Sequence, residues 1–321
     1  MSEHWRERKE GGGRFAISLI LAIGLRCGRG VARLCLYPIT LYFYFRRPYE
    51  RRVSYAFFAR IEGRRPSLWR VLQHIHRFAG TLLDRAFLLA ERYARFEVQM
   101  HGLDALIERM RPDRGVLLLG AHVGSFEVLR VATIGHPEVK LRVVLDTQKT
   151  PALTELLHSL NPQIGLGVID ASRPGSEIVL AMSEALAEGA LVTLLADRVR
   201  GDEQTVAVEF FGAPALLPVA PFALGGILDV PVVLCLGMYR GGNRYDLHFE
   251  PLADGLPRAR KERDGAVRAL AQAYASRLEH HVRLDPCNWF NWHDFWNPQG
   301  RGVDRHQPAA ERSDAVARDA A

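Results

Sequence analysis

The sequence predicts an α/β fold: a mixed, mostly parallel sheet covered by helices, with an N-terminal membrane-associating helical segment. Three observations carry that expectation. From about residue 115, short runs rich in Val, Leu and Ile alternate with stretches of helical period. The 321 residues are 48 % hydrophobic and 24 % charged, the balance of a chain that folds around a core and not of a collagen-like or disordered one. The net charge of +6 (42 basic against 36 acidic residues) is concentrated at the start, where residues 1–51 hold ten Arg/Lys against four Glu. The remainder is balanced, so no basic stripe is left on the body for nucleic acid.

The N-terminal segment has two apolar runs, 15–25 and 34–45, separated by Arg26, Arg29 and Arg33. Neither run reaches the ~20 residues of a transmembrane helix, and three mid-span arginines disfavour a single crossing. Two half-inserted pieces on an anionic membrane surface are expected, with Pro38 breaking the second and Tyr42, Tyr44, Arg46 and Arg47 at headgroup level. The division is residues 1–50 as a basic, apolar anchor, 51–298 as one folded domain, and 299–321, which lack aromatic residues, as a disordered tail. Four cysteines without a CxxC pair fit a reducing compartment.

Along the body, Leu68, Val71, Leu72, Ile75, Phe78, Leu82 and Phe87 fall on one face of a long helix, with His74 and His76 read as solvated. Strands are expected at 115–121, 141–145, 167–170 and 190–196, and a helix at 175–188 stopped by Gly189. After 206–211 comes an apolar helix near 219–228. Strands 232–238 and 245–249 then pair around Gly241-Gly242-Asn243, and a helix carries Val267, Leu270, Tyr274 and Leu278.

The chemistry gathers in Leu117-Leu118-Leu119-Gly120-Ala121-His122-Val123-Gly124-Ser125-Phe126-Glu127. A buried strand delivers His122 at its carboxyl end, where open α/β sheets place their sites. Five helical residues would put His122 and Glu127 about 140° apart, so the two meet only if His122 sits in the loop before a helix. A carboxylate that holds one ring nitrogen fixes the tautomer and makes the other a better proton acceptor. His122 is thus a candidate general base and Glu127 its orienting partner; the alternative for these residues alone is a core histidine and a helix-start acid. No GxSxG elbow accompanies them, and Ser125 belongs to the same turn, so direct transfer is simpler than a covalent intermediate. HExxH is absent, and neither metal nor cofactor is expected.

Residues 98–127 resemble the core of the bacterial lipid A late acyltransferases, whose pattern is an apolar strand followed by HxxxxD/E with a glycine and an aromatic inside it. Leu194-Leu195-Ala196-Asp197-Arg198 is similar to that family's strand ending in Asp-Gln. Val208-Glu209-Phe210-Phe211-Gly212 is similar to its VxFFG block, and Trp289-Phe290-Asn291-Trp292-His293 to its closing WxxWH. The resemblance implies that the middle segment is an acyltransferase domain of lipid A and lipopolysaccharide synthesis. Such an enzyme moves a fatty acyl group from acyl carrier protein, or coenzyme A, to a membrane lipid or glycolipid, peripheral or monotopic on the cytoplasmic face of the inner membrane. It carries over His122 and Glu127 as catalytic residues, and Gly124, Ser125, Lys149, Asp197 and Arg198 as substrate-binding.

Three departures bear on the acceptor. Arg198 replaces the usual Gln, Asp146 stands where Arg is common, and Asp294-Phe295-Trp296 follow the closing motif in place of basic residues. A divergent branch with a less anionic acceptor is expected. The alternatives are transfer of aryl-polyene or other chains to a lipid, and an inactive membrane scaffold of the same fold. The long helix and the aromatic closing segment 289–296 are the candidate walls for an acyl chain.

Overall fold

A computed structural model describes residues 24, 26–134, 139–146, 167–199, 203–257 and 260–296. Residues 15–23 and 25 of the first apolar run, Lys149 and the 299–321 tail lie outside the described residues. Helices α1 (Arg29–Arg46), α2 (Pro48–Glu62) and α3 (Leu68–Leu89) lead into β1 (Glu97–His101), α4 (Leu103–Ile107), β2 (Val116–Gly120) and a 3₁₀ segment, Phe126–Thr133. Then come β3 (Leu141–Leu145), β4 (Val168–Asp170), α5 (Gly175–Ala187), β5 (Leu191–Leu195), β6 (Thr205–Phe210), β7 (Ala213–Pro218) and α6 (Ala220–Leu228). The long hairpin strands β8 (Val232–Gly241) and β9 (Arg244–Ala253), the helix α7 (Arg260–Leu284) and a 3₁₀ turn, Pro286–Asn288, complete the order.

The main sheet runs β1-β9-β8-β2-β5-β3-β4, and β6 pairs with β7 apart from it. Every neighbouring pair in the main sheet is parallel except β8 and β9, so the sheet is mixed and mostly parallel, as the alternation predicted. The β8–β9 turn takes positive φ at Gly241 (93°) and Gly242 (61°), which is why glycine stands at both. The central strand β2 is buried along its whole length, the mark of a parallel strand covered on both faces.

Helix α1 is packed onto the body and is continuous through Pro38, contrary to the predicted break. Its inner face buries Ala32, Leu36 and Thr40. Arg29 of the same helix forms a two-pronged bond to the buried Asp84 of α3, Nε–Oδ1 at 2.6 Å and Nη2–Oδ2 at 2.7 Å. Tyr245 of β9 donates to the same carboxylate at 2.8 Å. These contacts fix the helix on both sides of Pro38 and outweigh the one backbone bond a proline forgoes. Burial disfavours the charged Arg29, but Asp84 more than offsets it and raises the guanidinium pKa. The outer face of α1 leaves Leu34, Tyr37, Leu41 and Phe45 exposed.

His74 also departs from expectation: it is fully buried. Its Nδ1 meets the Ser54 hydroxyl and its Nε2 the Trp289 carbonyl, each at 2.9 Å, so the ring is buried with both nitrogens satisfied although it lies beside the apolar face that the helical period marks. His76 pairs with the Thr40 hydroxyl at 3.1 Å. Ala79 and Gly80 of α3 face α1, with the Arg33 guanidinium 3.4 Å from where a Gly80 side chain would begin. Phe78 faces the closing segment, its ring 5.3 Å from Phe290 and 5.4 Å from Trp292.

Candidate active site

The carboxyl end of β2 stops at Gly120, whose carbonyl accepts from Ala196 N (3.0 Å) and from the Tyr274 hydroxyl of α7 (2.8 Å). Beyond it the loop is stitched to its surroundings by backbone. Gly124 N donates to Asn288 O at 2.8 Å, Ser125 N to Gly237 O at 2.8 Å, and Phe290 N to His122 O at 2.7 Å. The approach is close enough to demand glycine twice. Gly124 has φ +57°, and a Cβ there would lie 1.9 Å from the Gly237 oxygen; a Cβ on Gly237, in mid-strand β8, would lie 2.2 Å from the Ser125 oxygen. Ser125 is buried as part of this junction.

On that framework the His122 side chain is 24 % exposed, open to an incoming molecule. Its Nδ1 lies 2.7 Å from Asp197 Oδ1, and its backbone N–H donates to Asp197 Oδ2 at 2.9 Å. Burial by itself would raise the Asp197 pKa. The charge and hydrogen bonds of His122, with Arg198 nearby, outweigh that and hold the carboxylate well below its usual range. An ionised acceptor at Nδ1 assigns the proton to that nitrogen and leaves Nε2 as the basic one.

The sequence places Glu127 in the orienting role; the structure gives the Nδ1 contact to Asp197. Glu127 is buried at the start of the 3₁₀ segment and is gripped by two arginines. Arg85 of α3 donates to Oε1 through Nε (3.1 Å) and Nη2 (2.8 Å), and Arg130 donates to Oε2 through Nε (2.9 Å). Burial would raise its pKa, but the two guanidinium charges lower it on balance. A run of 3₁₀ turns and a carboxylate already committed to arginines explain why residue spacing pointed to the wrong neighbour for Nδ1.

Arg198 follows Asp197 and donates from Nη2 to the Phe290 carbonyl at 2.8 Å, tying the end of β5 to the closing segment. His293 joins the group without having been singled out from the sequence. It feels the charges of Arg198, Asp197 and His122, and burial with Arg198 pushes its pKa down to about 3, so it is neutral. The signal was its place at the end of the WxxWH-like segment. Asp146 is buried at the end of β3.

The four sequence blocks therefore meet in space. Val123 bridges to Trp289, Arg198 bonds Phe290, and Phe210 packs on Trp289 at 5.3 Å between ring centres, with Phe57 on another side at 4.9 Å. Trp292 stacks on His74 at 4.4 Å. A histidine held by a buried carboxylate and partly open, with its loop tied to the aromatic closing segment, can take a proton from a nucleophile. Compared with the curated proteins, the chain has no match. The family model described as bacterial lipid A biosynthesis acyltransferase matches residues 72–297, a stretch that contains every block meeting at His122. On that match the chain belongs to the bacterial lipid A biosynthesis acyltransferase family.

Proposed function

We propose that this acyltransferase moves a fatty acyl group from an acyl carrier protein thioester directly to a hydroxyl or amine of a lipid A precursor-like amphiphile, with His122 as general base. The observation that carries the reading is the His122–Asp197 pair at the end of the central strand. Nε2 of His122 takes the proton of the acceptor group as its oxygen or nitrogen bonds to the thioester carbonyl carbon. The tetrahedral species then breaks its carbon–sulfur bond, and the imidazolium returns the proton to the leaving thiolate. Asp197 holds the ring in register and stabilises the imidazolium, which makes it a positioning residue. Gly124 and Ser125 shape the loop. Arg198 and Lys149 remain candidate contacts for the anionic parts of donor or acceptor.

The outward face of α1 supports docking to a membrane surface. No helix among the described residues is long and apolar enough to cross a bilayer, and the exposed Leu34, Tyr37, Leu41 and Phe45 suit a helix lying in the interface of the inner membrane, on its cytoplasmic side.

The purified protein, supplied with a lipid A precursor and either acyl carrier protein or coenzyme A thioesters, should yield a lipid heavier by one acyl chain, read by mass spectrometry, with the carrier protein donor preferred. Turnover of neither donor, or undiminished turnover by His122→Ala, would overturn the proposal.

A further inference from the structure

At the edge of the main sheet β1 runs parallel to β9, with His101 opposite His248 and Gln99 opposite Asp246. Residues two apart on a strand project from one face, so Asp246 and His248 share a face, and the parallel register brings His101 level with them. The His101 and His248 rings stack with centres 4.6 Å apart and planes 13° apart, and His101 Nε2 lies 3.9 Å from Asp246 Oδ2. On its other side His248 meets the ring of His281 at 4.6 Å, but His281 is engaged by Glu250 at 2.7 Å. The Nε2 of His248 is buried and has no hydrogen-bond partner. Such an orphaned nitrogen calls for an explanation, and a missing ligand is one.

One donor atom from each of His101, Asp246 and His248 lies within 4.8 Å of the other two. We propose that His101, Asp246 and His248 form a binding site for a borderline divalent transition ion of the Zn²⁺ class, bridging the edge strand to its neighbour. Two imidazoles and a carboxylate are the donor set such ions prefer; Ca²⁺ and Mg²⁺ want oxygen only. Arg240 holds the Asp246 carboxylate through Oδ2 at 2.6 Å, which orients it for the ion. Bonds of about 2.0–2.2 Å need the three donors to close up, and His101, whose side chain is 47 % exposed, has the freedom to do so. Three protein ligands leave the rest of the coordination sphere to water. The site stands on the sheet edge, and among the described residues β1 is joined to the sheet only through β9. A bound ion is therefore a cross-link for that edge and has no step in acyl transfer.

The test uses untagged full-length protein freed of metal with a chelator, then titrated with Co²⁺ as the spectroscopic probe and with Zn²⁺ during thermal unfolding. One Co²⁺ per chain is expected, with visible bands of nitrogen and oxygen ligation, and Zn²⁺ should raise the unfolding midpoint by several degrees. His101→Gln, on the exposed edge, should weaken Co²⁺ binding by about tenfold or more and remove the Zn²⁺ shift, while His280→Gln, at an exposed histidine outside the three-residue group, should change neither. The proposal is overturned if the parent protein takes up no Co²⁺ at millimolar concentration. It is equally overturned if His101→Gln binds as the parent does, or if His280→Gln loses as much as His101→Gln.

Discussion

Asp197 holds His122 twice, by the ring Nδ1 at 2.7 Å and by the backbone N–H at 2.9 Å, across 75 residues of sequence. One buried carboxylate thus fixes both the ring and the loop that carries it. His122→Ala should lower kcat/KM by about 10²–10⁴ per folded molecule, with a lowered unfolding midpoint because the buried Asp197 carboxylate loses its Nδ1 donor. Asp197→Ala should lose activity on the same scale, because the ring is then neither oriented nor stabilised when it charges. Steady-state transfer assays beside thermal melts check this; an Asp197→Ala enzyme near parental activity would break the assignment.

Glu127 is expected to act differently. Its substitution by Gln removes the negative charge from between Arg85 and Arg130, and breaking one side of a buried pair costs about 3–5 kcal/mol when no water can help. Arg85 and Arg130 retain 28 % and 15 % exposure, so water takes up part of the loss and about 1–3 kcal/mol is expected. Urea unfolding measures it. Transfer per folded molecule should fall less than in His122→Ala.

Gly237 offers a purely steric probe of the same loop. In Gly237→Ala the new Cβ would sit 2.2 Å from the Ser125 oxygen, so either β8 or the His122 loop must move. A shift of about 1 Å at a catalytic loop is enough for a 10²-fold loss. The expected result is reduced kcat with a lowered melting midpoint, although residue 237 has no chemistry to offer. Parental kcat would mean that the loop tolerates displacement.

These contacts mark how far the sequence could be read. Buried parallel strands such as Val116–Gly120 announce themselves as continuous Val/Leu runs, and the glycine pair at 241–242 announces the β8–β9 turn. Edge strand β1, EVQMH, is exposed on alternate residues and carries too little apolar signal to stand out. His122 was legible because a strand end and a glycine loop frame it locally. Its partner was not, since Asp197 arrives from the next strand over in the sheet, β5, and nothing in local spacing distinguishes it from Glu127. His74 misled for a related reason: a polar residue beside an apolar helix face looks solvated until Ser54 and the Trp289 carbonyl are seen to satisfy it.

His74 gives the protein an acid limit. Burial pushes its pKa from about 6.5 down to about 4, so it is neutral when folded. Between those values the unfolded chain binds the proton and the folded one does not. Stability is then fully present above about pH 6.5 and is lost as pH falls toward 4, by something on the order of 3 kcal/mol. Urea midpoints from pH 7.5 to 4.5 should fall accordingly, and His74→Gln should flatten that slope even if it is less stable at neutral pH. An equal slope in both proteins would assign the acid sensitivity to other groups.

The membrane face can be separated from the fold because α1 carries two apolar stripes with different work. The inner stripe, Ala32, Leu36 and Thr40, and the Arg29–Asp84 bond hold the helix to the body, so deleting residues 1–48 strips Asp84 of its cation and destabilises the remainder. Truncation therefore confuses loss of docking with loss of structure. Leu34 and Phe45, 67 % and 72 % exposed, lie on the outer stripe and touch little of the body. Leu34→Glu with Phe45→Glu should leave the melting midpoint within about 1 °C, since surface changes away from packing cost about 0.5 kcal/mol or less. The same pair removes two apolar anchors and adds two negative charges at an anionic surface, and each side chain fully buried in the interface contributes about 1.5–3 kcal/mol. Binding to vesicles with anionic lipid should weaken by at least about tenfold in flotation assays, while transfer to a detergent-dispersed acceptor stays near normal. Unchanged flotation of the double variant would move the docking surface off α1.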